Sequence, residues 1–191
     1  MSVNVAVLVS GSGTLLQAIL DNQDGHYRVS LVAADKECPA LDRARRAGIK
    51  TEVVPMQPDR AAWNAQLADA VAATEPDLVV SAGFMRILGA PFLARFAGKT
   101  INTHPSLLPA FPGADAVSDA LAYGVKVTGC TVHYVDEGMD TGEIIAQQAI
   151  SIEDGEKKDE LHERIKQAER SQIVALLRTV KPAAENGKVT F

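Results

Sequence analysis

The first twenty residues constrain the fold more than any other part of the sequence. Val3–Val9 is an apolar run rich in valine that ends at the glycine loop, Ser10-Gly11-Ser12-Gly13. Such a run is typical of a buried strand, and the apolar spacing of Thr14–Asp21 predicts a helix directly after the loop. A buried strand that enters a helix through glycines favours a parallel βαβ unit, because the helix must cover one face of the sheet.

This alternation continues to about residue 112 and then changes. We expect strands at Tyr27–Ala34, Thr51–Val54, Asp77–Ser81 and up to Asn102, with helices at Pro39–Ala47, Arg60–Thr74 and near Pro91–Phe96. We then expect a helix near Ala116–Tyr123, two successive strands at Val127–Val135 and Glu143–Ile152, and a final helix at Lys158–Val180. Successive strands with no helix between them indicate antiparallel pairing. The sequence therefore predicts an α/β, Rossmann-like fold with a mostly parallel sheet, helices on both faces and a mixed or antiparallel carboxy-terminal part.

Size and charge limit the functional classes. A chain of 191 residues suits one α/β domain, residues 1–191, and is short for two. Its 47% hydrophobic and 23% charged residues exclude a disordered tail, a collagen-like fibre and a disulfide-stapled scaffold. The net charge of −5 argues against a nucleic-acid partner, and we expect Arg43, Arg45 and Arg46 on a solvated helix face. A few backbone amides can still bind one phosphate, so a phosphorylated metabolite fits this charge.

The sequence also favours a cytoplasmic location. Cys38 and Cys130 form no CxxC pair, so we expect two reduced, buried thiols. The apolar run at Val3–Val9 enters glycines rather than a cleavage site. No apolar run approaches the roughly 20 residues that span a bilayer, and we expect no membrane partner.

Three polar segments could carry chemistry. The glycine loop exposes amides at a helix start, which favours phosphate, although Leu16 replaces the third glycine of a dinucleotide fingerprint and a plain turn is the alternative. Asn102 and His104 alternate onto one face at the carboxyl end of a strand, where ligands of open α/β sheets bind. The loop Asp136–Gly142 carries Asp140, and an ordinary acidic turn is the alternative there.

Asn102, His104 and Asp140 together suit a reaction in which negative charge develops on a carbonyl oxygen. The amide and a protonated imidazole would stabilise the oxyanion, and the aspartate would keep the imidazole protonated. A purely structural role for the histidine is the alternative interpretation.

The other polar residues give weaker signals. Ser106 is the only candidate for a covalent nucleophile and a weak one, so we expect the substrate to supply the nucleophile. His133 could face the same pocket as His104. We expect His26 and His162 at the surface.

These motifs together resemble the folate-dependent formyltransferases, in particular those that act on glycinamide ribonucleotide. The resemblance covers essentially the whole chain: the glycine loop, Ala82–Leu88, Asn102–Pro109, Phe111-Pro112-Gly113, His133 and Asp140-Thr141-Gly142, in order. It implies the formyltransferase fold, and transfer of the formyl group of 10-formyltetrahydrofolate to the amine of glycinamide ribonucleotide in purine biosynthesis. It implies no metal.

The resemblance also implies roles for individual residues. Asn102, His104 and Asp140 would support the tetrahedral intermediate, with His133 secondary. The substrate phosphate would bind at Gly13, Thr14 and Leu15, and its ribose at Glu169. The reduced folate would lie against Arg60, Met85, Arg86, Ile87, Leu88 and Asn102, with backbone contacts from the loop at Val135–Asp140.

Three positions depart from the family pattern. Asp115 stands where the family commonly has a histidine that lines the pocket. Leu15 replaces a frequent polar residue, which leaves its backbone amide for the phosphate. Glu143 stands where proline is common, and we expect a structural effect there.

Two alternative functions remain open. Formyltetrahydrofolate deformylases and the methionyl-tRNA or sugar-nucleotide formyltransferases share the Asn-His-Asp core, but we expect their extra domains to need a longer chain. A dinucleotide-binding oxidoreductase or a nucleotide sensor would use the glycine loop and Asp35 as a ribose-binding acid. That reading leaves Asn102, His104 and Asp140 unexplained. The assembly state is open, a homodimer included.

Overall fold

The computed structural model describes residues 2–184 and 187–191, which form a sheet of seven strands and six helices. The strands are β1 (Val3–Val9), β2 (Tyr27–Ala34), β3 (Lys50–Val53), β4 (Leu78–Ser81), β5 (Thr100–His104), β6 (Val127–Tyr134) and β7 (Ile144–Ser151). The helices are α1 (Thr14–Asp21), α2 (Pro39–Arg46), α3 (Arg60–Ala72), α4 (Ala90–Phe96), α5 (Ala116–Tyr123) and α6 (Lys158–Leu177). Every predicted element is present, with small differences at the ends.

The strand order confirms the predicted architecture. The sheet runs β3-β2-β1-β4-β5-β6-β7. The first five strands pair in parallel, whereas β6 is antiparallel to both β5 and β7. The order reverses between β1 and β4, and the carboxyl ends of strands at such a reversal form a crevice where ligands bind.

Helices cover both faces of the sheet. On one face, β1 packs Val5, Val7 and Val9 against α1, α2 and the carboxyl half of α6. On the other face, Ala6 and Leu8 pack against α3 and α4. Because alternate side chains are buried on opposite faces, β1 has the continuous apolar sequence that predicted a buried strand.

The end of β5 lies further along the chain than predicted. The strand includes His104, whose Cα pairs with that of Thr131 in β6. Pairing with the antiparallel strand β6 extends β5 to His104. The apolar pattern of the sequence gives no sign of this pairing. His104 is thereby held on a rigid strand rather than on a loop.

Two surface predictions are wrong in part. Arg43 is half-buried and does not lie on a purely solvated face, because its Nε donates to the carbonyl oxygen of Ser12 in the glycine loop at 2.7 Å. Of the two free thiols, Cys130 is buried, as predicted, but Cys38 is partly exposed.

Among residues 2–184 and 187–191, no helix has the length and apolar character needed to cross a membrane.

Candidate active site

A cavity of about 890 Å³ opens at the carboxyl ends of β1, β4 and β5. It lies where the strand order reverses, as expected for an open α/β sheet. The structure brings most of the predicted site residues to its walls, namely Gly13, Thr14, Leu15, Met85, Arg86, Ile87, Leu88, Asn102, His104, His133, Asp140 and Glu169.

Arg60 is the predicted folate-binding residue that does not line this cavity. It is exposed at the first residue of α3, with its guanidinium carbon 5.8 Å from the centre of the Trp63 ring. Its contact with folate stays a prediction.

Asn102 and His133 face each other across the β5–β6 ladder. Asn102 Nδ2 lies 3.4 Å from His133 Nε2, and His133 Nδ1 lies 2.9 Å from the carbonyl oxygen of Tyr134. With its proton on Nδ1, the His133 ring donates to Tyr134 and accepts from the Asn102 amide. His133 therefore orients the Asn102 side chain, and one Asn102 N–H stays available to a ligand.

The Asp140 carboxylate lies between two imidazoles. Its Oδ2 is 3.5 Å from His104 Nδ1, and its Oδ1 is 3.8 Å from His133 Nε2. The Gly113 amide donates to Oδ2 at 2.8 Å. The side chain is 12% exposed, so these partners compensate a carboxylate that is largely removed from water.

The backbone around Asp140 explains the residues in this loop. Asp140 has a φ of 55°, a left-handed conformation that aspartate adopts more readily than most residues. A Cβ at Gly142 would collide with the carbonyl oxygen of Tyr134. A glycine is therefore required two residues before β7 for the loop to turn back onto β6.

The second ring nitrogen of His104 is also engaged. Its Nε2 lies 2.8 Å from the carbonyl oxygen of Phe111. Ser106 Oγ donates to the same oxygen at 3.2 Å and to the carbonyl of Ala110 at 2.6 Å. Ser106 is fully buried, and its hydroxyl holds the loop after β5 rather than facing the cavity as a nucleophile.

The glycine loop presents the start of α1 to the cavity. Gly13 has a φ of 77°, and a Cβ there would lie 2.6 Å from the Cβ of Ala40 in α2. The first amides of a helix have no partner within it, and those of Thr14 and Leu15 belong to this first turn. The Leu15 side chain packs against the core, and binding of phosphate by its backbone amide stays a prediction.

The carboxylate proposed for a dinucleotide ribose is not available. Asp35 follows β2 directly, and its side chain is 1% exposed. Ser10 Oγ donates to Oδ1 at 2.8 Å, and Arg86 Nε donates to Oδ2 at 2.7 Å. A carboxylate engaged in this way cannot receive the two hydroxyls of a ribose, which contradicts the dinucleotide hypothesis.

One face of α6 contributes four basic side chains to the cavity that the sequence analysis missed. Lys158, His162, Lys166 and Arg170 recur every fourth residue and line one wall. That spacing places side chains on one helix face, so it was a readable signal. His162, which we expected at the surface, is partly buried and lines the cavity. Burial, with Lys166 and Lys158 nearby, lowers the pKa of His162.

Asp115, one of the three departures from the family pattern, forms an ion pair with the first residue of this basic face of α6. Its carboxylate lies 2.9 Å from Lys158 Nζ. The hydrogen bond from Lys158, with a second from Ser118, lowers the pKa of Asp115. The pair links the start of α5 to the start of α6 at the cavity.

Glu169 lies on the same helix but is buried. Thr103 Oγ1 donates to its Oε1 at 3.2 Å. Burial raises the pKa of Glu169 to about 7, against the opposing effects of Thr103, Lys166 and Arg170. Burial and the charge of Glu169 also raise the pKa of the nearby Cys130 thiol to about 12. Glu169 can therefore either donate or accept a hydrogen bond near neutral pH.

Glu169 should make the stability of the fold depend on pH. Between pH 4.5 and about 7 the folded state keeps a proton that the unfolded state releases, so stability falls as pH rises. As the pH rises from 4.5 to 8, we expect the free energy of unfolding of Glu169→Gln to increase relative to that of the parent, by at most about 3 kcal/mol. Urea unfolding at both pH values measures this. Glu52→Gln, an exposed site on β3, is the control, and an equal effect of Glu169→Gln at both pH values would contradict the prediction.

Within residues 2–184 and 187–191, no group of three or more His, Cys, Asp or Glu side chains is arranged to hold a metal ion.

Known proteins match both the chain and its fold. Residues 3–177 match the family described as formyl transferase. The chain is 55% identical over 175 residues to phosphoribosylglycinamide formyltransferase from Mycobacterium tuberculosis, covering 90% of this chain and 81% of that protein. It is 41% identical over 197 residues to the human trifunctional purine biosynthetic protein adenosine-3, covering 98% of this chain and 20% of that protein.

A solved structure agrees with these sequence matches. Glycinamide ribonucleotide transformylase 1 from Symbiobacterium toebii superposes with a TM-score of 0.91 at 40% identity, and the match covers 100% of this chain and 94% of that one. Since the family match spans all seven strands and every residue on the cavity walls, the chain belongs to the formyl transferase family.

Proposed function

We propose that the chain transfers the formyl group of 10-formyltetrahydrofolate to the amine of glycinamide ribonucleotide. The observation that carries the proposal is the convergence of Asn102, His104 and Asp140 on one cavity that also contains a free helix start. The names of the relatives at 55% and 40% identity describe this reaction. The deformylase alternative uses the same core and is separated from it by the experiment below.

The ribonucleotide would occupy the end of the cavity between α1 and α6. The amides at Gly13, Thr14 and Leu15 would bind the phosphate, helped by the dipole of α1 and by the basic face of α6. The Glu169 side chain would accept a hydrogen bond from a ribose hydroxyl. These contacts explain how a chain with a net charge of −5 can bind a phosphorylated substrate.

The reduced folate would lie at the mouth of the cavity beside Met85–Leu88. Met85, Ile87 and Met139 are all more than half exposed there, and flexible or aliphatic side chains of this kind suit the face of an aromatic ring. The exposed backbone of this segment can supply hydrogen bonds to the ring edge. 10-Formyltetrahydrofolate is the co-substrate that supplies the formyl group.

Asn102 and His104 would supply the hydrogen bonds that the reaction needs. As the amine attacks, the carbonyl oxygen of the formyl group becomes negative, and oriented N–H donors stabilise that charge. His104 Nε2 would exchange the Phe111 carbonyl for this oxygen, while Asp140 holds Nδ1. The substrate amine supplies the nucleophile, in keeping with the burial of Ser106.

An assay with purified protein tests the proposal. With glycinamide ribonucleotide and 10-formyltetrahydrofolate, we expect formylated ribonucleotide and tetrahydrofolate in equal amounts, measured by mass spectrometry and absorbance. Leaving out the ribonucleotide is the control. Folate deformylation at the same rate with and without the amine would identify a deformylase and refute the transfer reaction.

We also propose that residues 1–191 act as one formyltransferase domain in the cytoplasm. In support, the chain spans about a fifth of the human trifunctional protein, and α6 packs against the same core as β1 and α1. The two cysteines are free thiols, as is usual in a reducing compartment.

A further inference from the structure

We propose that Asp35 is a positioning residue that fixes the two substrate-binding segments of the cavity relative to each other. These segments are the glycine loop and Ala82–Leu88, here called the folate segment. The kinetic part of this inference rests on the proposed function, whereas its structural part does not.

Three hydrogen bonds join the two segments, and two of them are accepted by Asp35. Ser10 Oγ donates to Asp35 Oδ1 at 2.8 Å, and Arg86 Nε donates to Oδ2 at 2.7 Å. The Met85 amide donates to Ser10 Oγ at 2.9 Å. Both oxygens of one carboxylate are thus used by groups from two different segments, and the shared hydroxyl closes the network.

The carboxylate is the rigid member of this network. Asp35 follows β2, which has a neighbour on each side in the sheet, and its side chain is 1% exposed, whereas the Arg86 side chain is 39% exposed. The folate segment forms neither helix nor strand. Its Ala82 amide donates to the Leu8 carbonyl oxygen, and Phe84 and Leu88 are buried in the core, whereas Met85 and Arg86 between them are exposed. Hydrogen bonds to a buried charge are about twice as strong as neutral ones. We infer that Asp35 fixes the exposed part of the folate segment, Met85 and Arg86, relative to β2 and the glycine loop.

The chain contains a reporter for this segment. Trp63, the single tryptophan, stacks on Phe84 with ring centres 6.2 Å apart and planes 11° from parallel. Phe84 belongs to the folate segment, and Trp63 is fully buried. If the segment loosens, Trp63 should become accessible to a quencher such as iodide.

Asp35→Asn is the first test, because an amide offers one acceptor oxygen where the carboxylate offers two. We expect hydrogen exchange at the Met85 amide and in the glycine loop to become about tenfold faster, and Trp63 to be quenched more by iodide. Faster exchange in the folate segment alone, or in neither segment, would overturn the proposal.

Two further variants keep the test decisive. Glu37→Gln breaks the exposed ion pair with Arg45, close to Asp35 in sequence, and should leave exchange in both segments unchanged. Ser10→Ala removes the shared hydroxyl but keeps the Asp35–Arg86 pair. It should release the Met85 amide even if Asp35→Asn fails to fold, and an unchanged Met85 exchange rate in Ser10→Ala would overturn the network.

Kinetics separate positioning from a general structural role. In Asp35→Asn we expect KM for both the folate and the ribonucleotide to rise about tenfold, with kcat within about twofold of the parent. A fall in kcat with both KM values unchanged would overturn the inference. If the parent itself transfers no formyl group, the proposed function fails, and the exchange and quenching measurements still decide the role of Asp35.

Discussion

Replacing Asp140 by asparagine is expected to lower kcat by about 100- to 1,000-fold, the effect of losing one oriented group at a developing oxyanion. The carboxylate accepts the Gly113 amide at 2.8 Å and lies 3.5 Å from His104 Nδ1. Both groups lie on Oδ2, so an asparagine oxygen in that position can still accept from them, but it carries no negative charge. His104 loses the negative charge beside its Nδ1, so its ring becomes a weaker hydrogen-bond donor toward the oxyanion.

The measurement is steady-state kinetics with both substrates at saturation. Asp154→Asn, whose carboxylate is fully exposed beside Lys126, is the matched control and should leave kcat unchanged. His104→Ala should give a loss of similar size, and the double variant should lose little more, because residues that act as a unit are not additive. Normal turnover in Asp140→Asn would remove this residue from the catalytic assignment.

Gly13→Ala is expected to destabilise the fold by about 2–4 kcal/mol and to weaken binding of the ribonucleotide. The new Cβ would lie 2.6 Å from the Cβ and 2.7 Å from the Cα of Ala40. The backbone φ of 77° is also unfavourable for alanine. To relieve the contact, α1 must move away from α2, which displaces the amides that we propose bind the phosphate.

Gly11→Ala provides a control in the same loop. A Cβ at Gly11 would have nothing within 4 Å, so we expect a stability change within about 0.5 kcal/mol. Urea unfolding measures both variants, and titration with inorganic phosphate measures the anion site. Equal stability of the two variants would show that the α1–α2 contact at Gly13 is not as close as the structure indicates.

The local sequence predicted more of the fold than of the site. All thirteen elements were predicted at the right places, because apolar periodicity reports which side chains are buried. The end of β5 was placed at Asn102 rather than His104, since pairing with β6 extends the strand beyond its apolar part. The basic face of α6 was overlooked, although its four-residue spacing was present in the sequence.

Contacts between distant residues were beyond the reach of sequence patterns. Asn102 and His133 lie 31 positions apart, and Arg86 and Asp35 lie 51 apart. The sequence placed Asp35 at the end of a strand and left open what it binds. In the structure, Ser10 and Arg86 donate hydrogen bonds to both of its carboxylate oxygens. Asp35 therefore links two loops and is not free to bind a ribose.

By itself, the sequence determined the succession of strands and helices along the chain, the glycine turns and the polar residues at the strand ends. These features depend on neighbours a few residues away. The tertiary structure decided which carboxylate meets which imidazole and which loops share one aspartate. Those contacts depend on the order of the strands within the sheet and on the register between them. Hydrogen bonds and ion pairs need atoms within about 3.5 Å of each other, and the register of β5 against β6 and the course of the loop after β6 bring Asp140 beside His104.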